Sequence, residues 1–119
     1  MPVSGIGIDI VEVERIEMAI KRFGRRFLER VYTEGEIEYC NSKKYPYPSF
    51  AVRFAAKEAF FKAIGRKVGW RNIEVVRGER GRPFLKLNSP LDNNYSFHLS
   101  LSHTKAYAVA MVVMEEKDS

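Results

Sequence analysis

The chain opens on an alternation of period two. In Val3 to Ile10, Ile6, Ile8 and Ile10 share one face, while Gly5, Gly7 and Asp9 share the other, which predicts a β-strand. Val11 to Phe23 reads as a helix closed by Gly24 at a C-cap position, and Arg25 to Arg30 as a short helical turn. Thr33-Glu34-Gly35-Glu36 matches a capping box, predicting a further helix to about Cys40. Pro46 and Pro48 mark Asn41 to Pro48 as a loop, after which Ser49 can cap a helix from Phe50 to Ile64 that ends at Gly65. Asn72 to Leu87 reads as two strands around a Gly78-Glu79-Arg80-Gly81 turn. Ser89 to Asn94 reads as loop, Ser96 to Ser102 and Ala106 to Met114 as a second strand pair, and Glu115 to Ser119 as a frayed tail. Helices crowd the first half and strands the second. That order predicts an α+β fold, with helices packed on an antiparallel sheet. The 119 residues suit one domain over the whole chain, 1-119.

Three segments carry more polar chemistry than a core requires. Asp9 ends the isoleucine strand on the glycine face, where a ligand has room to approach the backbone. Its carboxylate suits a metal, or a phosphorylated ligand held through one; a helix N-cap is the other reading. The helix Phe50 to Ile64 is apolar almost all the way round, so it should be buried on several sides. Within it Glu58 and Lys62, four apart, share one edge. They read either as an internal salt bridge or as a metal carboxylate beside a phosphate-binding lysine. In Phe97 to Ser102 the apolar residues alternate with His98, Ser100 and Ser102, and His103, Thr104 and Lys105 follow in a turn. An imidazole, a hydroxyl, an ammonium and backbone N–H groups so close together suit phosphate oxygens. A serine hydrolase is disfavoured, because adjacent Ser and His side chains diverge and no acid orients the histidine.

Charge and composition narrow the partners. The formal net charge of +5 favours acidic ones: nucleic acid, an anionic membrane, a phosphorylated cofactor or an acidic protein. The single cysteine, Cys40, excludes an internal disulfide and a cysteine zinc cage, and reads as a small apolar residue near a helix end. No signal-peptide pattern is visible in Met1 to Gly5, so none is expected, and no apolar run nears the roughly 20 residues of a membrane helix. The expectation is a soluble, cytoplasmic protein with no membrane partner. A nucleic-acid-binding module is the alternative from a different class, but it leaves Asp9 and Glu58 unexplained, since carboxylates repel phosphate unless a metal intervenes.

Several segments match one family together. Gly5-Ile6-Gly7-Ile8-Asp9-Ile10 with Glu14-Arg15-Ile16, then Arg53-Phe54-Ala55-Ala56-Lys57-Glu58-Ala59 with Lys62-Ala63-Ile64-Gly65, then Gly81-Arg82-Pro83, and last Leu99 to Thr104 with Tyr107-Ala108, resemble the holo-acyl-carrier-protein synthase family of 4′-phosphopantetheinyl transferases. They stand in the family's order and spacing and span nearly the whole chain. The resemblance implies Mg²⁺-dependent transfer of phosphopantetheine from coenzyme A to a serine of an acyl carrier protein, leaving adenosine 3′,5′-bisphosphate. Mn²⁺ suits the same oxygen ligands. It implies Asp9 and Glu58 as metal carboxylates, with Glu58 as the leading general base. It gives Lys62 and His103 to the coenzyme A phosphates, and Thr104, Arg53 and Gly65 to the same ligand. Arg15 matches the position that contacts the carrier, and Met18, Lys21 and Arg25 extend that face toward an acidic carrier protein. The small single-domain members are similar in forming homotrimers with active sites between subunits, so a homotrimer is expected. A non-catalytic relative that only binds the carrier is a further alternative.

Overall fold

A computed structural model describes residues 2–88 and 90–118. The elements run β1 (Val3–Glu12), α1 (Val13–Phe23), α2 (Arg25–Val31), α3 (Glu34–Asn41), α4 (Tyr47–Ile64), β2 (Ile73–Arg77), β3 (Pro83–Leu87), α5 (Leu91–Asn94), β4 (Tyr95–His103) and β5 (Tyr107–Glu116). The expected α+β architecture is present, with every strand pairing antiparallel. The first strand joins the last two in a sheet ordered β1-β5-β4, and β2-β3 forms a separate hairpin.

The capping box forms as read: the Thr33 hydroxyl accepts from Glu36 N–H, and Glu36 accepts from Thr33 N–H. Boundaries move where pairing or proline chemistry overrides the local pattern. β1 continues to Glu12 because Val11 and Glu12 still pair with Ala108 and Tyr107. Helix α1 therefore starts at Val13, and Asp9 lies inside the strand opposite Ala110 instead of capping a helix. Helix α4 begins at Tyr47, three residues before the expected start, because Pro48 sits in its first turn, where no N–H donor is needed. Ser49 is thus inside the helix and is not its cap. Glu115 and Glu116 belong to β5 and do not fray, since they pair with Ser96 and Tyr95. Of the expected loop from Ser89 to Asn94, Leu91–Asn94 is a short helix. Ser89 and the chain's last residue, Ser119, lie outside the described residues, as does Met1.

The long helix α4 lies across one face of the three-stranded sheet and is flanked by α1 and α3. Phe50, Ala51, Val52, Ala55, Ala56, Ala59, Phe60, Phe61 and Ala63 are all buried. Burying each phenylalanine contributes roughly 1.5–3 kcal/mol. The helix comes so close to β1 that a Cβ on Gly5 would overlap the Ala63 carbonyl oxygen, and one on Gly7 the Ala59 carbonyl oxygen. The room left by these glycines is therefore filled by the helix backbone, not by a ligand.

Two cations are buried with the apolar face of α4. Lys57 donates to Glu36 Oε1 (2.7 Å), Val31 O (2.7 Å) and Trp70 O (2.9 Å), which uses all three of its N–H groups. Glu36 also accepts from Thr33 N–H at 2.9 Å and Val75 N–H at 2.8 Å. Burial pushes the Lys57 ammonium below its ordinary range, and Glu36 pushes it back. Arg53, only 2% exposed, stacks on the Tyr39 ring and donates to Ser49 O, while its Nε has no hydrogen-bond partner among the described residues.

Candidate active site

The crossing of β1 and α4 sets the first part of the site. Because Gly5 and Gly7 let α4 seat on β1, the next residue on that face, Asp9, comes against the helix edge that carries Lys62. Lys62 Nζ donates to Asp9 Oδ1 at 3.2 Å and to Ile8 O at 2.9 Å. Glu58 stands one helical turn earlier on that edge, half-buried, with no hydrogen bond or ion pair among the described residues. The internal Glu58–Lys62 bridge is therefore not formed; Lys62 pairs with Asp9. Two carboxylates and an ammonium thus gather on one side of the molecule, with one carboxylate unpaired.

His103 and Thr104 lie elsewhere. Antiparallel register aligns His103 with Ala108 and Val11, at the far end of β4. Since β1 and β4 are opposite edges of the sheet, Asp9 and His103 flank it on two sides with α4 between them. His103 ends the strand and does not enter the turn, which is Thr104-Lys105-Ala106. The Thr104 hydroxyl accepts from Ala106 N–H (3.2 Å) and Tyr107 N–H (3.0 Å), so it shapes that turn. His103 lines a cleft of ≈ 500 Å³ together with Val52, Ser100, Arg77, Arg82 and Pro83. Two guanidinium groups and an imidazole around one cleft make it suited to anions. The sequence reading gave Arg77 and Arg82 no role. The Gly81-Arg82-Pro83 turn was a visible signal for Arg82, whereas Arg77 enters only through the pairing of β2 with β3.

The remaining candidates spread further. Arg53 faces a second cavity of ≈ 300 Å³, lined also by Tyr39, Glu74, Lys86 and Arg77, so Arg77 borders both clefts. Gly65 closes α4 with φ 79°, and its N–H donates to Phe61 O. Arg15, Met18 and Lys21 lie along α1 and border a shallow apolar groove with Phe23, whereas Arg25 starts α2 and points into ion pairs with Glu29 and Glu34. Lys21 is paired with Glu17 at 2.7 Å, and the Tyr45 hydroxyl donates to the same carboxylate at 2.9 Å. These two bonds hold Glu17 below its usual range, and Glu17 in turn raises Lys21. Met18 is 61% and Phe23 50% exposed, so the α1 face offers apolar contact beside cations.

The uncovered face of the main sheet is apolar along β1 and β5 and polar along β4, where His98, Ser100 and Ser102 stand opposite Val113, Met111 and Val109. Ile6, Ile8 and Ile10 are 61%, 57% and 64% exposed, and Met111 pairs with Ile8 on the same face. Among the described residues no helix is long and apolar enough to cross a membrane.

Comparison with known proteins bears on this arrangement. The profile of the 4′-phosphopantetheinyl transferase superfamily matches residues 5–112. The chain is 47% identical over 116 residues to the holo-[acyl-carrier-protein] synthase of Chloroherpeton thalassium, covering 92% of this chain and 96% of that one. It is 48% identical over 124 residues to the Koribacter versatilis synthase, covering 96% and 99%. Among solved structures, the Bacillus anthracis synthase in complex with CoA (3′,5′-ADP) superposes with a TM-score of 0.85 at 40% identity, covering 97% of this chain and 98% of that one. The Helicobacter pylori synthase in complex with coenzyme A gives 0.83 at 36% identity, covering 92% and 99%.

Proposed function

The chain belongs to the 4′-phosphopantetheinyl transferase superfamily, and on that footing we propose that it works through the Asp9–Lys62–Glu58 cluster. It is a holo-[acyl-carrier-protein] synthase: it transfers 4′-phosphopantetheine from coenzyme A to a serine of apo-acyl carrier protein. The serine oxygen forms a bond to the phosphorus that carries the pantetheine arm. The phosphoanhydride bond to adenosine 3′,5′-bisphosphate breaks, and the serine proton leaves to a base. The nucleophile comes from the carrier, which accounts for a site without a Ser-His-acid triad.

The observation that carries the mechanism is the meeting of Asp9 with Lys62, one helical turn from the unpartnered Glu58 carboxylate. Phosphoryl transfer depends mainly on positioning and charge stabilisation, which such a cluster supplies. The donor set fits Mg²⁺, which takes one or two carboxylates and fills its shell with water and phosphate oxygens. Asp9 and Glu58 would hold it; Mn²⁺ fits the same oxygens. When bound, it would supply positive charge to the pyrophosphate oxygens. Lys62 binds a pyrophosphate oxygen, and its flexible stem lets the ammonium follow the developing charge. Glu58 accepts the serine proton.

His103 contacts a coenzyme A phosphate in the basic cleft, where Arg77 and Arg82 add charge, and Thr104 assists from the turn that follows it. Arg53 and Gly65 serve the same ligand from α4. Arg15, Met18, Lys21 and Arg25 form the carrier-facing side, whose charge would speed association with an acidic partner. The resemblance to the small single-domain members supports a reading in which a neighbouring copy brings its His103 edge to the Asp9 edge of this one. The apolar strip of Ile6, Ile8 and Ile10 is the surface on which three copies would meet.

The test is mass spectrometry of apo-acyl carrier protein incubated with this protein, coenzyme A and Mg²⁺, with and without EDTA. The expected result is a gain of one phosphopantetheine that EDTA prevents. Asp9→Ala and Glu58→Ala are each expected to lose at least about 100-fold in rate while remaining folded, since neither is core. Full activity in both variants, with unchanged metal dependence, would remove them from the metal site.

A further inference from the structure

Lys62 rests on one of the two groups assigned to the metal. Its ammonium takes Asp9 Oδ1 and is braced by the Ile8 carbonyl oxygen, two bonds that fix it at the strand. Lys62 is half-exposed, whereas Asp9 is largely enclosed. The ammonium is therefore the more mobile partner. Glu58, on the same helix edge, carries no such cation among the described residues.

We propose that Lys62 is a movable counter-ion of Asp9 that competes with a divalent cation until a phosphate draws it away, so that metal and coenzyme A bind with positive coupling. The proposal rests on the reading that Asp9 and Glu58 hold the metal. A dication and an ammonium cannot share Asp9 without mutual repulsion. With no anion in the site, a metal must either displace Lys62 from its two bonds or accept that repulsion, and its affinity falls. A pyrophosphate offers Lys62 a new acceptor of higher charge, within reach of a four-carbon stem. Once the ammonium has swung to the phosphate, both oxygens of Asp9 are released to the metal. Linkage makes the effect reciprocal: the factor by which the phosphate tightens the metal is the factor by which the metal tightens the phosphate. The protein would thus avoid holding metal firmly without substrate.

The experiment is calorimetric titration of the whole protein with Mn²⁺, alone and in the presence of saturating coenzyme A, the nucleotide that carries the pyrophosphate, with no carrier protein present. The variants are Lys62→Met, which keeps the stem and removes the charge, Lys62→Gln as a polar second choice, and Asp9→Asn. Arg66→Met removes an exposed charge just past the end of α4 that makes no side-chain bond among the described residues. Thermal melts check that each variant is folded. Relative to the unmodified protein without nucleotide, Lys62→Met and Lys62→Gln should bind Mn²⁺ roughly three- to tenfold tighter, the scale of an exposed ion pair plus a relieved repulsion. Arg66→Met should change it less than about twofold. The tightening of Mn²⁺ by nucleotide should shrink by the same factor in both Lys62 variants. Unchanged or weaker Mn²⁺ binding in those variants, while Asp9→Asn abolishes it, would overturn the proposal and leave the metal assignment standing. Equal tightening in Arg66→Met would also overturn it, by reducing the effect to net charge. If Asp9→Asn binds Mn²⁺ as the unmodified protein does, the metal assignment fails first and the proposal with it.

Discussion

A single hydrogen atom in place of a methyl group determines how closely α4 can approach β1. At Gly7 any Cβ would overlap the Ala59 carbonyl oxygen, and would also sit 2.9 Å from Ala63 N. That obstacle is helix backbone, which cannot rotate aside. Gly7→Ala should therefore destabilise the fold by roughly 3 kcal/mol or more, at or above the top of the usual overpacking range. It should also slow transfer, because lifting β1 carries Asp9 away from Lys62. Urea denaturation and the carrier assay read the two effects; an Ala variant of normal stability would show that the contact yields. Cys40 gives a second test at this scale. It is fully buried, and burial pushes its thiol up to about 12 from 9.0, with Arg53 opposing. The unfolded chain releases that proton near pH 9 and the folded chain keeps it. Stability should therefore fall as pH rises from about 9 toward about 12, at up to about 1.4 kcal/mol per pH unit. Tyr32, also raised by burial, joins only above its ordinary value of 10.0. Between pH 9 and 10 Cys40 should supply the falling contribution, opposed by Lys57 and Tyr39, whose lowered ranges make the folded chain lose their protons first, and Cys40→Ala should remove the fall. An unchanged slope would assign the loss to other groups.

At the scale of elements, Lys57 and Glu36 fasten α4 and four other segments to one another. The ammonium reaches the end of α2 at Val31, the Trp70 turn and α3, while Glu36 caps α3 and accepts from β2. Both residues are essentially unexposed, 0% and 1%. Removing one partner leaves the other charged and buried, so Lys57→Met should cost roughly 3–5 kcal/mol. Adding Glu36→Gln should cost less than the sum of the two single changes, because the second change removes the stranded charge. Strict additivity in urea denaturation would mean that the pair is not energetically coupled. This network also marks where sequence reading stops. The Thr33 capping box, the αL glycine at Gly65 and the alternation in β1 and β4 are local patterns, readable within a few residues. The acidic residue of that capping box was visible too, but not its second duty, since its partner lies 21 positions away. Asp9, Glu58 and Lys62 were found through residue type and resemblance. Their pairing came out differently, because the choice between Glu58 and Asp9 for Lys62 depends on where β1 crosses α4. The glycines that set this crossing were read as space for a ligand, since sequence shows a missing side chain but not the backbone that fills its place.

At the scale of the whole molecule, one chain displays two half-sites and an apolar strip. The carboxylate–lysine cluster borders β1, the His103 cleft borders β4, and the isoleucine strip occupies the sheet face opposite α4. The two edges are separated by the width of one strand, β5, so one extended substrate could reach both within a copy or across a boundary between copies. Assembly around the isoleucine strip would bring the β1 edge of one copy to the β4 edge of the next. Ile8→Glu tests the strip: Ile8 points away from the α4 core, so the chain should stay folded while its mass in analytical ultracentrifugation falls to that of one copy, and transfer should fall with it. Complementation tests the sharing itself. Lys62→Ala spoils one half-site and His103→Ala the other, so each variant alone should transfer poorly. Co-expressed in equal amounts, they should form mixed rings in which about a quarter of the sites join an intact Lys62 from one copy to an intact His103 from its neighbour. Activity should therefore recover toward a quarter of the unmodified level. Recovery requires the two residues to act across a subunit boundary. If each chain held its own complete site, every site in the mixture would lack one residue or the other, and mixing would restore nothing.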